Sequence, residues 1–409
     1  MYNTDVKIVV TSQKSLGNHR LTALALSGIL YLAGPARSRG EDRVDYRYED
    51  YSEENGRIHI KTHGVYFDTT LAPWLSLKGN YIYDAISGAT PLGPKYLPGA
   101  NAVNTATIDD VRKAGFLEPS FKVGNHTLSP QIAYSLESDY ESIGVALNDA
   151  IELNEKNTTL QLGVAHSFDH VLPNEGELDY HGNPLTKQKK NDSSALIGVT
   201  QLLGPATILT ADVTVGYSSG YLSDPYKRVL FDDVPYYPGT DPANPNAFTV
   251  WPERRPSHKL REVLFVALSH NFEPLNGAAE VTYRLHHDSF GVTANTFSFQ
   301  WNQKITKYLI LSPLVRFHTQ TAASFYATDF RGDPDNQGVY PLPKNYSSDY
   351  RLSAMDSLTL GVSASIRLQE HVSLELAFKR YTMWGTDGVT GSQQYPKANA
   401  VTAGLSLWF

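Results

Sequence analysis

The sequence predicts an all-β fold, a membrane-spanning, antiparallel up-and-down β-barrel of about sixteen strands. Three observations predict it. Apolar and polar residues alternate with period two along most of the chain, the long connections are all odd-numbered, and 11% aromatic residues accompany only 19% charged residues. Period-two alternation gives a strand one apolar and one polar face, which suits a barrel wall between lipid and water.

The N-terminal segment is predicted to be an export signal. Basic residues precede the apolar run LTALALSGILYLAG (21–34), which is too short to span a bilayer and has the length of a signal-peptide core. Ala36 and Ser38 supply small residues at the −3 and −1 positions of a cleavage site. We therefore expect a signal peptide over 1–38 and the barrel over 39–409, with a buried N-terminal helix as the alternative.

Sixteen segments carry the alternation, and each is predicted to be one strand. In the seventh, Leu160, Leu162 and Val164 share one face, whereas Gln161 lies on the other. The segments are 42–51, 57–68, 74–84, 109–123, 127–138, 141–153, 158–170, 193–203, 206–219, 257–271, 278–289, 293–304, 308–321, 348–367, 372–384 and 398–409.

All the long connections occupy odd-numbered positions along the chain. The third, seventh, ninth, thirteenth and fifteenth connections are long, and every even-numbered one is short. The long ones are 85–108, 171–192, 220–256, 322–347 and 385–397. Odd and even connections of an up-and-down barrel lie at opposite ends, and outer-membrane barrels have short periplasmic turns and long external loops. The sequence therefore predicts a bacterial outer-membrane location with external long loops.

The chain ends in AVTAGLSLWF, an alternating strand with a terminal aromatic residue. Val401, Leu405 and Phe409 share one parity and are predicted to face outer-membrane lipid. Phe409 is expected to be the assembly signal that the barrel-assembly machinery recognises. The same strand is expected to pair with the first one, because closure removes both sheet edges.

Composition excludes several classes of protein. The chain has no Cys, so disulfides, Cys-ligated zinc and thiol catalysis are excluded. Its formal net charge of −7 argues against nucleic-acid binding. A soluble sandwich of this length would usually split into domains, and a propeller would show a repeat; neither a linker nor a repeat is found.

Charged residues of both signs occur at positions predicted to face the lumen. Sixteen strands leave room for an aqueous channel, so an open pore is the favoured interpretation. The alternative is a lumen closed by ion pairs. The lumen-lining candidates are Lys78, Asp84, Arg112, Glu118, Asp212, Arg284, Arg316 and Arg351.

Several motifs make the chain similar to a known family. They are YDAISGATP (83–91), GYSSGYLSDPYKRV (216–229), TAASFY (321–326), SSDYRLSA (347–354) and LSLWF (405–409). The chain resembles a family of uncharacterised bacterial proteins that are taken to be outer-membrane β-barrels. The resemblance implies fold and location but no activity, so it carries over no catalytic residue. It also associates the chain with periplasmic flavin-attachment proteins, which keeps a redox-related partner as an alternative.

No catalytic residue, cofactor or metal site is predicted. His286 and Asp288 share a strand face, but two ligands do not make a site. DPDNQG (333–338) fits a calcium loop poorly, because Pro334 follows the first Asp and Lys344 replaces the final Glu. The predicted function is a porin-like channel for small polar solutes. The alternatives are a non-conducting scaffold or conduit for a periplasmic or surface partner and, third, an outer-membrane enzyme.

Overall fold

The barrel predicted from the sequence is confirmed by a computed structural model, which describes residues 42–93, 105–232, 249–332 and 341–409. Sixteen strands close into one antiparallel barrel in which chain neighbours pair, and the last strand pairs with the first. The predicted signal peptide, 1–38, lies outside the described residues. Within the described part of the chain, no helix is long and apolar enough to cross a membrane.

Nineteen strands are described, and the barrel strands follow the predicted segments within four residues except at three ends. The third barrel strand runs to Pro91 rather than 84, the eighth begins at Gln188 rather than 193, and the fourteenth begins at Met355 rather than 348. The nineteen strands are β1 Arg43–Glu53, β2 His59–Ala72, β3 Leu75–Pro91, β4 Thr105–Val123, β5 His126–Leu136, β6 Tyr140–Leu153, β7 Thr158–Val171, β8 Gln188–Gly204, β9 Thr207–Gly220, β10 Arg228–Asp232, β11 Thr249–Pro252, β12 His258–Phe272, β13 Gly277–Asp288, β14 Thr293–Lys304, β15 Leu309–Gln320, β16 Phe330–Arg331, β17 Met355–Gln369, β18 Val372–Gly385 and β19 Lys397–Trp408.

Tight turns make all the even-numbered connections, as predicted. Between β12 and β13, a single 3-10 turn over Glu273–Leu275 ends at Asn276, whose φ of 48° is left-handed. Asn tolerates this backbone region better than most residues. The long connections therefore all leave the barrel at the opposite end.

The two faces of the wall differ in polarity. On β19, Val401 and Leu405 are 52% and 38% exposed on the outside of the barrel, while Thr402 is buried on the inside; Phe409, just after the strand, is 71% exposed. The same division recurs on β9, where Val213 points outward and Asp212 inward. An outer band of exposed apolar side chains around a polar interior is the arrangement of barrels that cross lipid.

The fourteenth strand of the barrel, β17, starts later than predicted. It begins at Met355, and the residues before it include a 3-10 turn over Tyr350–Leu352. The side chain of Asp349 accepts a hydrogen bond from the Arg351 amide at 3.1 Å, so a local side-chain bond competes with strand pairing. The prediction that Arg351 lies on a barrel strand is therefore wrong.

A second, small sheet was not predicted. It consists of β10 between β11 and β16, and it lies within the two longest connections. Val229, Phe231 and Tyr346 are fully buried around it. The long loops thus have a hydrophobic core of their own.

Candidate functional site

Seven of the eight predicted lumen residues lie on the inner face of barrel strands. Their positions are Lys78 and Asp84 on β3, Arg112 and Glu118 on β4, Asp212 on β9, Arg284 on β13 and Arg316 on β15. They do not converge on one point, since they are spread over five strands. The lumen wall, rather than a single cluster, is therefore the first candidate site.

Inner-face polar groups form chains that run from strand to strand. Thr62 Oγ1 donates to Asp84 Oδ1 at 2.7 Å, and Arg112 Nη1 donates to Asp84 Oδ2 at 3.3 Å. Arg112 Nε then lies 3.8 Å from Glu137 Oε1 on the far side. This chain of contacts joins β2, β3, β4 and the end of β5.

A second chain follows the adjoining part of the wall, from β12 to β6. Arg261 holds Asp192 through two hydrogen bonds of 2.5 and 2.6 Å, and Ser218 also donates to Asp192. On the next strands, Tyr140 OH donates to Asp169 Oδ2 at 2.7 Å. Such two-pronged arginine–carboxylate contacts fix geometry as well as charge. They hold each side chain against the wall.

The long loops meet above the barrel and form what we call the cap, comprising the described parts of 221–257 and 321–354 together with 386–396. Lys227 in the cap hydrogen-bonds the carbonyl of Pro91 at the end of β3. β3 lies six places from β9 in the strand order, so this contact crosses the barrel mouth. Gln394 reaches from another side and donates to the Gly93 carbonyl at 3.0 Å. The cap therefore covers the long-loop end.

A buried charge cluster lies at the centre of the cap. Its members are Asp224, Lys227, Glu253, Arg255, Asp349 and Arg351. Arg351 Nη2 donates to Asp224 Oδ2 at 2.8 Å, and Arg255 Nη2 donates to Asp349 Oδ2 at 2.7 Å. Three acids and three bases make the cluster neutral. Neutrality and mutual hydrogen bonding are what allow so many charges to be buried.

The environment of the cluster shifts the pKa values of its members. Burial lowers the pKa of Lys227 to about 8, although Asp349 opposes the shift. Burial alone would raise the pKa of Asp349, but Arg351, Lys227 and Arg255 together hold it well below its usual range. Burial raises the pKa of Glu253, which Arg255 only partly offsets. Arg351 and Asp349 thus form the firmest ion pair of the cluster.

The lowered pKa of Lys227 predicts that the cap becomes more stable as pH rises from 8 to 10. In that window an unfolded cap retains a proton that the folded cap has released, so the free energy of unfolding increases with pH. We expect the cleavage rate of wild-type cap, divided by that of a Lys227→Met variant, to fall across this range. Limited proteolysis of both proteins at each pH measures the ratio, because the protease's own pH dependence cancels. A constant ratio would contradict the prediction.

Two family-like motifs meet in this cluster. Asp224 and Lys227 belong to GYSSGYLSDPYKRV, while Asp349 and Arg351 belong to SSDYRLSA. Gly220 of the first motif has a φ of 101°, and a Cβ there would lie 2.3 Å from the Lys189 carbonyl. The first motif thus secures the loop against the wall. Glu253 and Arg255 were missed, because nothing local in WPERR marks them as buried.

Groups that could hold a metal are few in the described residues. His286 Nε2 contacts Asp288 Oδ2 at 3.1 Å, but Lys259 also binds that carboxylate, which makes the group an ion pair network. Asp110, Glu137 and Asp139 bring carboxylates together at the rim. DPDNQG (333–338) lies outside the described residues.

The closed barrel with a polar interior and an apolar exterior defines the class as an outer-membrane-type β-barrel. Residues 20–409 match the family described as Protein of unknown function (DUF3570), and the chain belongs to that family. This confirms the resemblance noted from the sequence. No curated protein sequence matches the chain.

Solved structures of outer-membrane proteins are similar to the barrel. CdiB from Acinetobacter baumannii matches with a TM-score of 0.50 and 8% identity, over 90% of this chain and 61% of CdiB. A bacterial polysaccharide outer membrane secretin matches with a TM-score of 0.47 and 9% identity, over 91% of this chain and 100% of the secretin chain. The siderophore receptor PirA from Pseudomonas aeruginosa matches with a TM-score of 0.43 and 11% identity, over 91% of this chain and 62% of PirA. The chain thus spans about three fifths of PirA, and the similarity to CdiB concerns the fold alone.

Proposed function

We propose that the protein is a porin-like barrel of the bacterial outer membrane that passes small polar solutes through its lumen. The long loops are external in this proposal, and the cap narrows the external mouth. Lipid and the barrel-assembly machinery are its partners, with Phe409 as the assembly signal. The polar inner face, found on strands all around the barrel, supports the proposal because a wet lumen needs it.

The observation that carries the proposal is the direction of the ion pairs inside the barrel. Among the described residues, five such pairs between barrel strands each join neighbouring strands or two strands separated by a single strand. They are Arg112–Asp84, Lys190–Asp169, Lys259–Asp288, Arg47–Glu375 and Arg261–Asp192. Side chains held against the wall leave the space between opposite walls to water, whereas a plugged lumen would need pairs that cross it.

Exposure also differs between the two ends of the lumen. Near the short turns, the inner-face residues Lys122 and Asn271 are exposed. Near the long loops, Glu53, Asp169 and Asp288 are buried beneath the cap. A solute would therefore enter freely from the periplasmic end and meet its narrowest passage at the external end.

The cap favours one second candidate, a closed barrel that presents the cap to a surface partner. Its hydrophobic core around Phe231 and its buried charge cluster make an ordered structure rather than loose loops. A redox-related partner stays among the alternatives for this candidate. The two functions differ in whether solutes cross the barrel.

Solute flux decides between them. We expect liposomes that contain the purified folded protein to swell fastest in arabinose, more slowly in sucrose and most slowly in raffinose. The same protein should give stepwise currents in planar bilayers. Heat-modifiable migration on gels confirms folding of each preparation. Folded protein that gives neither swelling nor current would replace the channel with the closed barrel.

A further inference from the structure

The inner face carries charged residues of both signs, but its positive and negative side chains differ in how accessible they are to the lumen. Many inner-face carboxylates are buried and hydrogen-bonded to neighbouring wall residues, including Asp84, Glu118, Asp169 and Asp192. Glu118, for example, accepts from Gln131 Nε2 at 2.7 Å. These charges are satisfied locally and present little negative field to a passing solute.

The inner-face cations are more accessible. They lie mainly on the wall formed by β12–β15, β17–β19 and β1, which we call the basic wall. Arg316 and Lys304 are exposed there, and the others are half-buried. The half-buried ones include Arg47, Arg284, Arg367 and Lys379. Accessible positive charge therefore exceeds accessible negative charge, in a chain whose net charge is −7.

Three of these cations form a group on the basic wall. Arg47 and Arg316 both lie near the Lys379 ammonium group, and the carboxylates of Glu49 and Glu375 lie near it as well. A Cβ at Gly361, opposite Lys379, would approach Lys379 Cγ to 3.1 Å, so the small residue leaves room for the long side chain. Gly404 likewise lies opposite both Arg47 and Glu375, which pair at 3.1 Å over it.

We propose that this lumen selects small oxyanions, carboxylates or phosphates, and that Arg47, Arg316 and Lys379 determine the selectivity. The inference rests on the proposed channel function and names its solute class. Guanidinium groups present a planar fork that matches carboxylate and phosphate oxygens, and the ammonium group adds a point charge. A wall lined by one sign of accessible charge raises the local concentration of solutes of the opposite sign.

The test is the reversal potential of the channel in planar bilayers under a KCl gradient. Wild type is expected to favour chloride over potassium, and Arg316→Gln with Lys379→Gln is expected to lose that preference severalfold. Glu375→Gln should act in the opposite direction, because it removes the acid that pairs with Arg47. Lys61→Gln is the control for charge loss outside the lumen, since Lys61 is exposed on the outer face of β2 and its substitution removes one positive charge.

Inorganic phosphate and citrate then serve as oxyanion probes, with current carried by each measured against the same variants. Phosphate and citrate currents should fall together in the double variant if the shared oxyanion chemistry is what is recognised. A channel that conducts but prefers potassium, or whose selectivity survives the double substitution, would overturn the inference and leave the channel function standing. Folded protein that conducts nothing would overturn the channel and the selectivity together.

Discussion

Replacing Arg351 by alanine is expected to open the cap while leaving the barrel intact. Arg351 pairs with the buried carboxylates of Asp349 and Asp224, so its loss removes the partner of Asp224 and leaves Asp349 paired with Arg255 alone. Removing one partner from a buried ion pair costs about 3–5 kcal/mol. We expect fast cleavage of cap loops by added protease in intact cells, and larger currents in bilayers.

The matched control is Arg380→Ala. Arg380 pairs with Glu54 at the same end of the barrel, but both side chains are substantially exposed to solvent. An exposed pair contributes about 0–1 kcal/mol, so cap cleavage should barely change. Equal protease sensitivity in the two variants would show that the charge cluster does not secure the cap. Heat-modifiable migration should be retained by both, because Arg351 lies outside the barrel strands and Arg380 contributes only an exposed side-chain contact between β18 and β19.

Val213→Arg is expected to destabilise the folded barrel in lipid by about 2–4 kcal/mol, because arginine on the lipid face at the bilayer midplane costs that much. Val213 lies at the centre of β9, is 43% exposed, and is flanked by Ile197 and Leu264 on the neighbouring strands. Reversible unfolding by denaturant in phospholipid vesicles measures the difference in free energy of unfolding.

Thr214→Arg is the matched comparison, because Thr214 is the residue directly after Val213 in the chain. Thr214 has the opposite parity and faces the lumen beside Asp212 on the same strand. An added arginine there meets water and a carboxylate rather than acyl chains, so its cost should be small. If the two arginine substitutions destabilised the barrel equally, the assignment of the outer face to lipid would be untenable.

Strand number, pairing order and the end that carries the long loops could all be predicted from the sequence. Each depends on a local pattern, since alternation reports a two-faced wall and turn residues report its ends. The same reasoning extended the fourteenth barrel strand, β17, back to residue 348. The reason is that Leu352 has the same parity as Leu358, which lies on the outer face. The Ser-Ser-Asp sequence before Tyr350 was the available signal for a turn.

The cap could not be predicted, because its contacts join residues far apart in the chain. Lys227 contacts Pro91, Gln394 contacts Gly93, and Arg351 contacts Asp224, and no local periodicity reports such pairs. The strands of its small sheet are only two to five residues long. Lumen residues were easier to propose than cap residues, since parity alone places them on a face.

The distribution of cap residues along the chain has a consequence for folding kinetics. Arg57 in the first connection donates to the carbonyls of Gln393 and Gln394 in the last one. Contacts of such high sequence separation form late, because the loop-closure entropy must be overcome first. The cap can therefore be completed only after β1 has met β19. Protease resistance of the cap should appear as the final kinetic phase of assembly, later than the appearance of β-structure. The rate of that phase would then report when the barrel has closed.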